Sequence, residues 1–132
     1  MGQQPLAGLE VLIVEDDYFI ASDIEAILNK AGARVLGPFS RAEQARSAVQ
    51  ARSGSPLVAI LDINLAGAMV YPLAEDLRRA GVPFVFATGY DDGNVPARFA
   101  TVPRLLKPVD TRRLLESVSA VANLSPPSAK SS

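Results

Sequence analysis

The sequence contains no cysteine and no histidine, and these two absences remove several kinds of chemistry at the outset. Without cysteine there can be no disulfide, no thiolate metal site and no thiol nucleophile. Without histidine the usual general base and zinc ligand are missing as well. Any reaction at this chain must therefore depend on carboxylates, hydroxyls, lysine and arginine.

Long apolar runs and blocks of like charge are also absent. No window approaches the roughly 18 uninterrupted apolar residues of a membrane span, and the first five residues lack the basic and apolar regions of a secretory signal. The 13 lysines and arginines balance 14 aspartates and glutamates without clustering, which argues against a nucleic-acid footprint. We therefore expect a soluble, cytoplasmic protein-binding module that binds neither nucleic acid nor membrane.

The length of 132 residues, 48% of them apolar, favours one domain with a proper core. Residues 1–8 are polar and contain glycine and proline, and the end of the chain is rich in serine and proline. We expect a folded domain over residues 9–122 and flexible termini at residues 1–8 and 123–132.

One segment, Leu57–Asp62, is almost entirely apolar and ends on a carboxylate. A run of this length between turn residues indicates a strand buried on both faces, as in the centre of a parallel sheet. In open α/β folds, ligands bind outside the carboxyl ends of the strands. Asp62 is therefore predicted to lie at a binding crevice.

Four more apolar segments indicate strands, and helical spacing of apolar residues predicts a helix between most of them. A capping box from Ser40 to Glu43 predicts the start of the second helix. Residues 91–103 contain Gly93 and two prolines and predict a loop with at most one or two helical turns. The predicted strands are 9–14, 33–37, 57–62, 83–87 and 104–107, joined by right-handed crossovers into a parallel sheet covered on both faces.

Residues suited to binding phosphate or a cation follow four of these strands. Glu15 and Asp16 follow the first, Asp62 ends the third, Thr88 follows the fourth and Lys107 ends the fifth. Parallel strands bring such ends to one rim. Carboxylates there suit Mg²⁺, and a hydroxyl and an ammonium could hold phosphoryl oxygens. The pattern predicts a site that moves a phosphoryl group onto, or next to, Asp62.

The motifs that carry these residues resemble the response-regulator receiver domain of two-component signalling. The resemblance extends over about residues 9–122 and implies an α/β fold. This is the (βα)5 flavodoxin-like three-layer sandwich with five parallel strands in the order 2-1-3-4-5. The matching motifs, in chain order, are Val11–Asp17, Leu61–Asn64, Ala87–Gly89 and Leu106–Pro108.

The resemblance also implies a role for each site residue. Asp62 matches the phosphoacceptor, Thr88 the switch hydroxyl and Lys107 the ammonium that contacts the phosphate, with a cis peptide bond between Lys107 and Pro108. The ligands implied for Mg²⁺ are Glu15, Asp16, Asp62 and the main-chain carbonyl of Asn64. The chain would then catalyse only its own phosphorylation and dephosphorylation, and would not be an enzyme in the usual sense.

The segment Pro83–Tyr90 is similar to the PFxFATGY motif of a receiver subfamily whose members are often stand-alone. This similarity implies a histidine kinase, of the HWE type or a related one, or a phosphotransfer protein as partner, and leaves a homodimer open. It also implies a fourth helix that is short or replaced by a loop. Arg104 stands where receivers usually carry an aromatic residue, so we expect Tyr90 or a reordering of residues 89–103 to transmit the signal.

Two other functions remain as alternatives. A haloacid-dehalogenase-like phosphatase also uses a strand-end aspartate with Mg²⁺, but such enzymes carry a second aspartate where this chain has Asn64. A flavodoxin-like FMN module needs a phosphate-binding loop after the first strand, where Glu15, Asp16 and Asp17 would repel the phosphate. For Asp17 itself, helix capping is favoured over metal binding.

Overall fold

Five parallel strands form the centre of the computed structural model, which describes residues 4–52, 54, 56–89 and 95–123. Their order across the sheet is β2-β1-β3-β6-β7, the predicted order once two very short strands, β4 and β5, are set aside. The strands in chain order are β1 (Glu10–Val14), β2 (Arg34–Phe39), β3 (Leu57–Asp62), β4 (Asn64–Leu65), β5 (Ala68–Met69), β6 (Phe84–Thr88) and β7 (Arg104–Leu106).

Helices cover both faces of the sheet, as predicted for a three-layer sandwich. They are α1 (Tyr18–Lys30), α2 (Ala42–Ala51), α3 (Tyr71–Arg79) and α4 (Thr111–Asn123). Between β6 and β7 the described residues form only a three-residue 3₁₀ helix, η1 (Ala97–Phe99). The prediction of a fourth helix that is short or replaced is thus confirmed for the described part of that connection, and residues 90–94 lie outside it.

The two faces of the sheet are packed with different side chains. On the face of α1 and α4 the core is aliphatic, and no aromatic residue belongs to it among the residues that the structure describes. On the face of α2, α3 and η1 the core contains Phe84, Phe86 and Phe99, with Tyr71 packed against them. All six residues of β3 are buried between these layers, which confirms the central strand.

The N-termini of α1 and α2 test the two helix caps that were predicted from the sequence. The carboxylate of Asp17 accepts hydrogen bonds from the main-chain N–H groups of Phe19 and Ile20, at 2.9 and 3.1 Å, so the predicted N-cap is confirmed. The capping box predicted at Ser40 is wrong by one residue. Because β2 continues to Phe39, the helix begins later, and the N–H of Arg41 donates to Gln44 Oε1 at 3.2 Å.

Two features were not expected from the sequence. Strands β4 and β5 pair as a small antiparallel hairpin around Ala66 and Gly67, both with positive φ. At the start of the chain, residues 4–8 form turns, and Leu6 is buried with its N–H donating to the carbonyl of Ala31 at 2.9 Å. Ordered structure therefore begins before residue 9, while the predictions for residues 1–3 and 124–132 fall outside the described residues.

A search of the described helices finds none with the length and apolar character that a membrane crossing would need.

Candidate functional site

The carboxyl ends of β1, β3 and β7 bring three charged side chains, Glu15, Asp62 and Lys107, to one place. In each strand the residue two positions earlier packs into the aliphatic core between the sheet and α1/α4: Ile13, Ile60 and Leu105. Because side chains alternate between the faces of a strand with period two, the charged residues continue the same side. On this face of the sheet, each of the three strands therefore carries a row of apolar side chains, and the row ends in a charged residue.

Lys107 joins the two buried carboxylates. Its Nζ lies 3.0 Å from Glu15 Oε1 and 3.0 Å from Asp62 Oδ1. The carboxylate side chains are only 2% and 3% exposed, and that of Lys107 is 18% exposed. A single ammonium therefore faces two carboxylates that are themselves almost completely buried.

This crowding perturbs the protonation of both partners. Burial, followed by the charge of Glu15, raises the pKa of Asp62 from its ordinary 3.8 to about 7, although Lys107 pulls it in the opposite direction. Burial also acts to lower the pKa of Lys107, but its hydrogen bonds to Glu15 and Asp62, together with the negative charges of these two carboxylates, outweigh burial and raise that pKa. Lys107 is thus held in its charged form, while Asp62 near neutrality is poised between its two forms.

A third carboxylate, Asp16, completes an acidic cluster suited to a cation. One oxygen from each of Glu15, Asp16 and Asp62 lies within 4.8 Å of the others, and Asp16 is exposed. Three carboxylates against one ammonium leave excess negative charge, and oxygen ligands are those that Mg²⁺ prefers. The donor set present therefore fits the predicted ion.

The residues after Asp62 shape the opposite side of the site. The N–H of Asn64 donates to Asp62 Oδ1 at 3.3 Å, and the side-chain oxygen of Asn64 accepts from the N–H of Gly67 at 2.7 Å. The predicted role of the Asn64 carbonyl as a metal ligand stays a prediction. The Asx-type contact between Asn64 and Gly67 in the Asn-Leu-Ala-Gly turn was the signal that could have located this hairpin.

A cavity of about 540 Å³ opens over these groups. Asp62 is only 2% exposed, and it is one of the residues that line the cavity. The lining combines the acidic cluster, the end of β6 and the β4–β5 hairpin: Glu15, Asp16, Asp17, Ile20, Asp62, Asn64, Ala66, Gly67, Gly89 and Lys107.

Thr88 is the predicted site residue that the structure sets apart. It follows Phe86, which packs into the aromatic core, and so continues the other face of the sheet. Its hydroxyl donates to the carbonyl of Gly89 at 3.1 Å, and Gly89 rather than Thr88 lines the cavity. Of the five predicted side chains, Glu15, Asp16, Asp62 and Lys107 are brought together, and Thr88 lies at the neighbouring strand end.

The remaining predictions concern the surroundings of the site. The peptide bond between Lys107 and Pro108 is cis, as predicted. Arg104 begins β7 and is exposed, and Tyr90 lies outside the described residues. At the start of α1, Tyr18 and Phe19 are 75% and 78% exposed.

The family model of the response regulator receiver domain matches residues 11–119. The chain belongs to this family. As a receiver domain of two-component signalling it is a signalling domain rather than a classical enzyme, and its flavodoxin-like fold is the one expected from the sequence.

Known relatives agree with this assignment. The chain is 34% identical over 97 residues to the phyllosphere-induced regulator PhyR of Methylorubrum extorquens, a match that covers 72% of the chain and 34% of that protein. It therefore spans about one third of the length of PhyR. The solution structure of SdrG from Sphingomonas melonis is similar with a TM-score of 0.76 and 35% identity, over 89% of this chain and 97% of SdrG. The structure of the PhyR stress response regulator is similar with a TM-score of 0.72 and 28% identity, over 89% of this chain and 46% of that one.

Proposed function

We propose that this receiver domain takes a phosphoryl group onto Asp62 from a histidine kinase or phosphotransfer protein and signals through protein contacts. The observation that carries the proposal is the contact of Lys107 with both Glu15 and Asp62 at the floor of an open cavity. The cavity admits a donor to a carboxylate that is otherwise buried. The ammonium beside that carboxylate is placed to contact the incoming phosphoryl oxygens.

The transfer uses the carboxylate of Asp62 as nucleophile. An ionised oxygen of Asp62 forms a bond to phosphorus as the bond from phosphorus to the donor nitrogen breaks, and the electron pair leaves with the donor imidazole. Lys107 stabilises the negative charge on the phosphoryl oxygens, because its ammonium already lies at hydrogen-bond distance from Asp62. Mg²⁺ held by Glu15, Asp16, Asp62 and the carbonyl of Asn64 would offset the charge of the carboxylates and the phosphoryl group.

Thr88 acts in this proposal as the switch. Its hydroxyl donates to the carbonyl of Gly89, so contact with a phosphoryl group on Asp62 requires that hydrogen bond to be exchanged. Because Gly89 lines the cavity and leads into the connection that contains η1, such an exchange would alter the backbone there. This supports residues 89–103, rather than an aromatic residue at position 104, as the path of the signal.

The alternatives are supported less well. A phosphatase of the haloacid-dehalogenase type would lack its second carboxylate here, because residue 64 is an asparagine. The side-chain oxygen of Asn64 also accepts a hydrogen bond from the N–H of Gly67. A flavin phosphate would meet the carboxylates of Glu15 and Asp16 in the cavity. The HWE-type kinase and the homodimer remain predictions that rest on the motif at residues 83–90.

Intact-mass spectrometry after incubation with Mg²⁺ and acetyl phosphate tests the proposal. We expect the mass of one added phosphoryl group, stable in acid and labile in base, and its loss in Asp62→Asn. Asp23→Asn removes one exposed carboxylate from α1 and serves as the matched control that should still be modified. Modification that persists in Asp62→Asn would contradict the proposal, whereas turnover of many phosphate esters would indicate a phosphatase and bound yellow cofactor a flavin module.

A further inference from the structure

The end of strand β2 contains one residue more than the neighbouring stretch of β1. Leu12 of β1 is in register with Leu36 of β2. Two residues later Val14 is in register with Phe39, which lies three residues after Leu36. Strand β2 therefore carries a β-bulge between Leu36 and Phe39, and bulges are frequent next to active sites, where they redirect a strand. This one lies at the carboxyl end of β2, on the rim that carries the acidic cluster.

The bulge ends in a direct contact with a residue of the site. The N–H of Glu15 donates to the carbonyl of Phe39 at 2.9 Å. Pro38 and Phe39 also line a cavity of about 420 Å³ whose lining includes Glu15 and Asp16. The main chain of Glu15 is therefore held from the side of β2, while its carboxylate is held by Lys107.

Residue 37, inside the bulge, has to be a glycine. Its φ is +103°, in the range that residues with a Cβ rarely adopt. A Cβ added to Gly37 would lie 2.9 Å from the carbonyl oxygen of Ile13 and 2.9 Å from the main-chain nitrogen of Phe39. Both are backbone atoms, so no side-chain rotation relieves the overlap, and either β1 or the bulge has to move. Because Ile13 precedes Glu15 by two residues and Phe39 accepts its N–H, either movement displaces Glu15.

We propose that Gly37 is a positioning residue for the divalent cation, because the bulge that it permits sets the place of Glu15 within the acidic cluster. The inference rests on the proposed function, in which Glu15 and Asp16 hold Mg²⁺. Glu15 is buried, so its side chain has little room to compensate for a displaced main chain. Mg²⁺ demands near-ideal octahedral geometry, and one oxygen from each of the three carboxylates already lies within 4.8 Å of the others. A shift of Glu15 therefore weakens the binding of the ion.

Calorimetric titration of the unphosphorylated protein with MgCl₂ tests the proposal. Gly37→Ala should weaken Mg²⁺ binding about tenfold or more, as is typical when a group that orients a metal ligand is changed. Gly81→Ala is the matched control, because Gly81 also has a positive φ, of 78°, and no described atom lies within 4 Å of the place of its Cβ. This control has the unfavourable backbone conformation without the overlap, and its Mg²⁺ affinity should stay close to that of the wild-type protein. Circular dichroism checks that both variants are folded.

The rate of phosphorylation by acetyl phosphate over a range of Mg²⁺ concentrations separates positioning from a general loss of structure. Gly37→Ala should need about tenfold more Mg²⁺ for its half-maximal rate, and its rate at saturating Mg²⁺ should approach that of the wild-type protein. A rate that stays low at saturating Mg²⁺ would show a general structural defect and would overturn the proposal.

The wild-type protein supplies the test if Gly37→Ala does not fold. The NMR shift of the carbonyl carbon of Phe39, which accepts the N–H of Glu15, should change when Mg²⁺ saturates the protein. The carbonyl carbon of Leu36, in the regular part of β2, is the internal control and should change much less. An unchanged signal of Phe39 would overturn the proposal.

Failure of this inference and failure of the proposed function give different results. Equal Mg²⁺ affinities of Gly37→Ala and Gly81→Ala, with normal binding by the wild-type protein, would overturn the role of Gly37 and leave the proposed function intact. Absence of Mg²⁺ binding by the wild-type protein would overturn the metal site of the proposed function and the role of Gly37 with it.

Discussion

The two faces of the sheet use different side chains and end in different chemistry. The face of α1 and α4 is aliphatic and leads into the charged cluster of Glu15, Asp62 and Lys107. The face of α2, α3 and η1 is aromatic and leads to Thr88. A fixed set of charges therefore lies at the end of one core, and the residue proposed to move lies at the end of the other.

The two cores hold different parts of the molecule in place. Branched aliphatic side chains between two long helices hold the strand ends that carry the charges. Four aromatic rings instead hold a short connection, since Phe99 stacks on Tyr71 with centroids 5.6 Å apart and meets Phe86 edge to face. The aromatic core thus anchors a segment that has little secondary structure of its own.

The largest effect is expected from removing that anchor. Phe99→Ala should lower the free energy of unfolding by about 3–5 kcal/mol, measured by urea denaturation, and should speed amide exchange in residues 95–102. Leu114→Ala makes a cavity in the aliphatic core and should cost about 2–5 kcal/mol without selective exchange there. If both variants speed exchange equally in residues 95–102, the two cores do not differ in the way described.

A smaller and pH-dependent effect is expected at the charged end of the aliphatic core. Because the pKa of Asp62 is raised when the protein folds, its contribution to stability is present at low pH and is lost as the pH rises toward and through about 7. Asp62→Asn does not have this loss, so its free energy of unfolding should exceed that of the wild-type protein at pH 8. The excess should be smaller at pH 5. At about 1.4 kcal/mol per tenfold change in proton affinity, the difference in the free energy of unfolding between the two proteins has an upper limit of about 4 kcal/mol. Coupling to Lys107 reduces this difference.

Urea denaturation at the two pH values, without divalent cations, checks this expectation. Adding Mg²⁺ at pH 8 should narrow the difference between the two proteins, since the cation binds the carboxylates in the folded state. A stability difference that is the same at pH 5 and pH 8 would show that Asp62 titrates as it does in the unfolded chain.

The smallest effect is expected from the exposed ion pair that braces the aromatic side. Glu75→Gln removes the partner of Arg98 and should cost less than about 1 kcal/mol, yet still raise exchange at η1. Glu116→Gln breaks the exposed pair with Arg112 on α4, at 3.7 Å, and should change neither quantity. An effect of Glu116→Gln as large as that of Glu75→Gln would show that the ion pair between Glu75 and Arg98 has no special role in holding η1.

Much of the fold could be predicted because its signals are local. The apolar run of Leu57–Asp62 and the capping carboxylate of Asp17 need no tertiary information to be recognised. Strand β2 could not be bounded in this way, because its last residues are held by pairing with β1, including the bond from the N–H of Glu15 to the carbonyl of Phe39. The capping prediction at Ser40 failed for the same reason.

The site shows the same limit. The positions of these residues at strand ends predicted correctly that Glu15, Asp16, Asp62 and Lys107 meet, because the carboxyl ends of parallel strands lie at the same edge of the sheet. The side on which Thr88 lies depends on which face Phe86 packs against, and that is decided by α3 and η1. The hairpin at residues 64–69 was missed because its strands have only two residues each, too few for any alternation to be visible.

Strand β7 has three residues and hydrogen-bonds to the sheet through β6 alone. The next residue, Lys107, reaches beyond β6 to carboxylates at the ends of β3 and β1. The outermost strand is therefore tied to the middle of the sheet by electrostatic attraction as well as by its backbone. A change of charge at Asp62 alters its attraction for Lys107. A chemical change at the centre of the sheet is therefore transmitted to its edge strand.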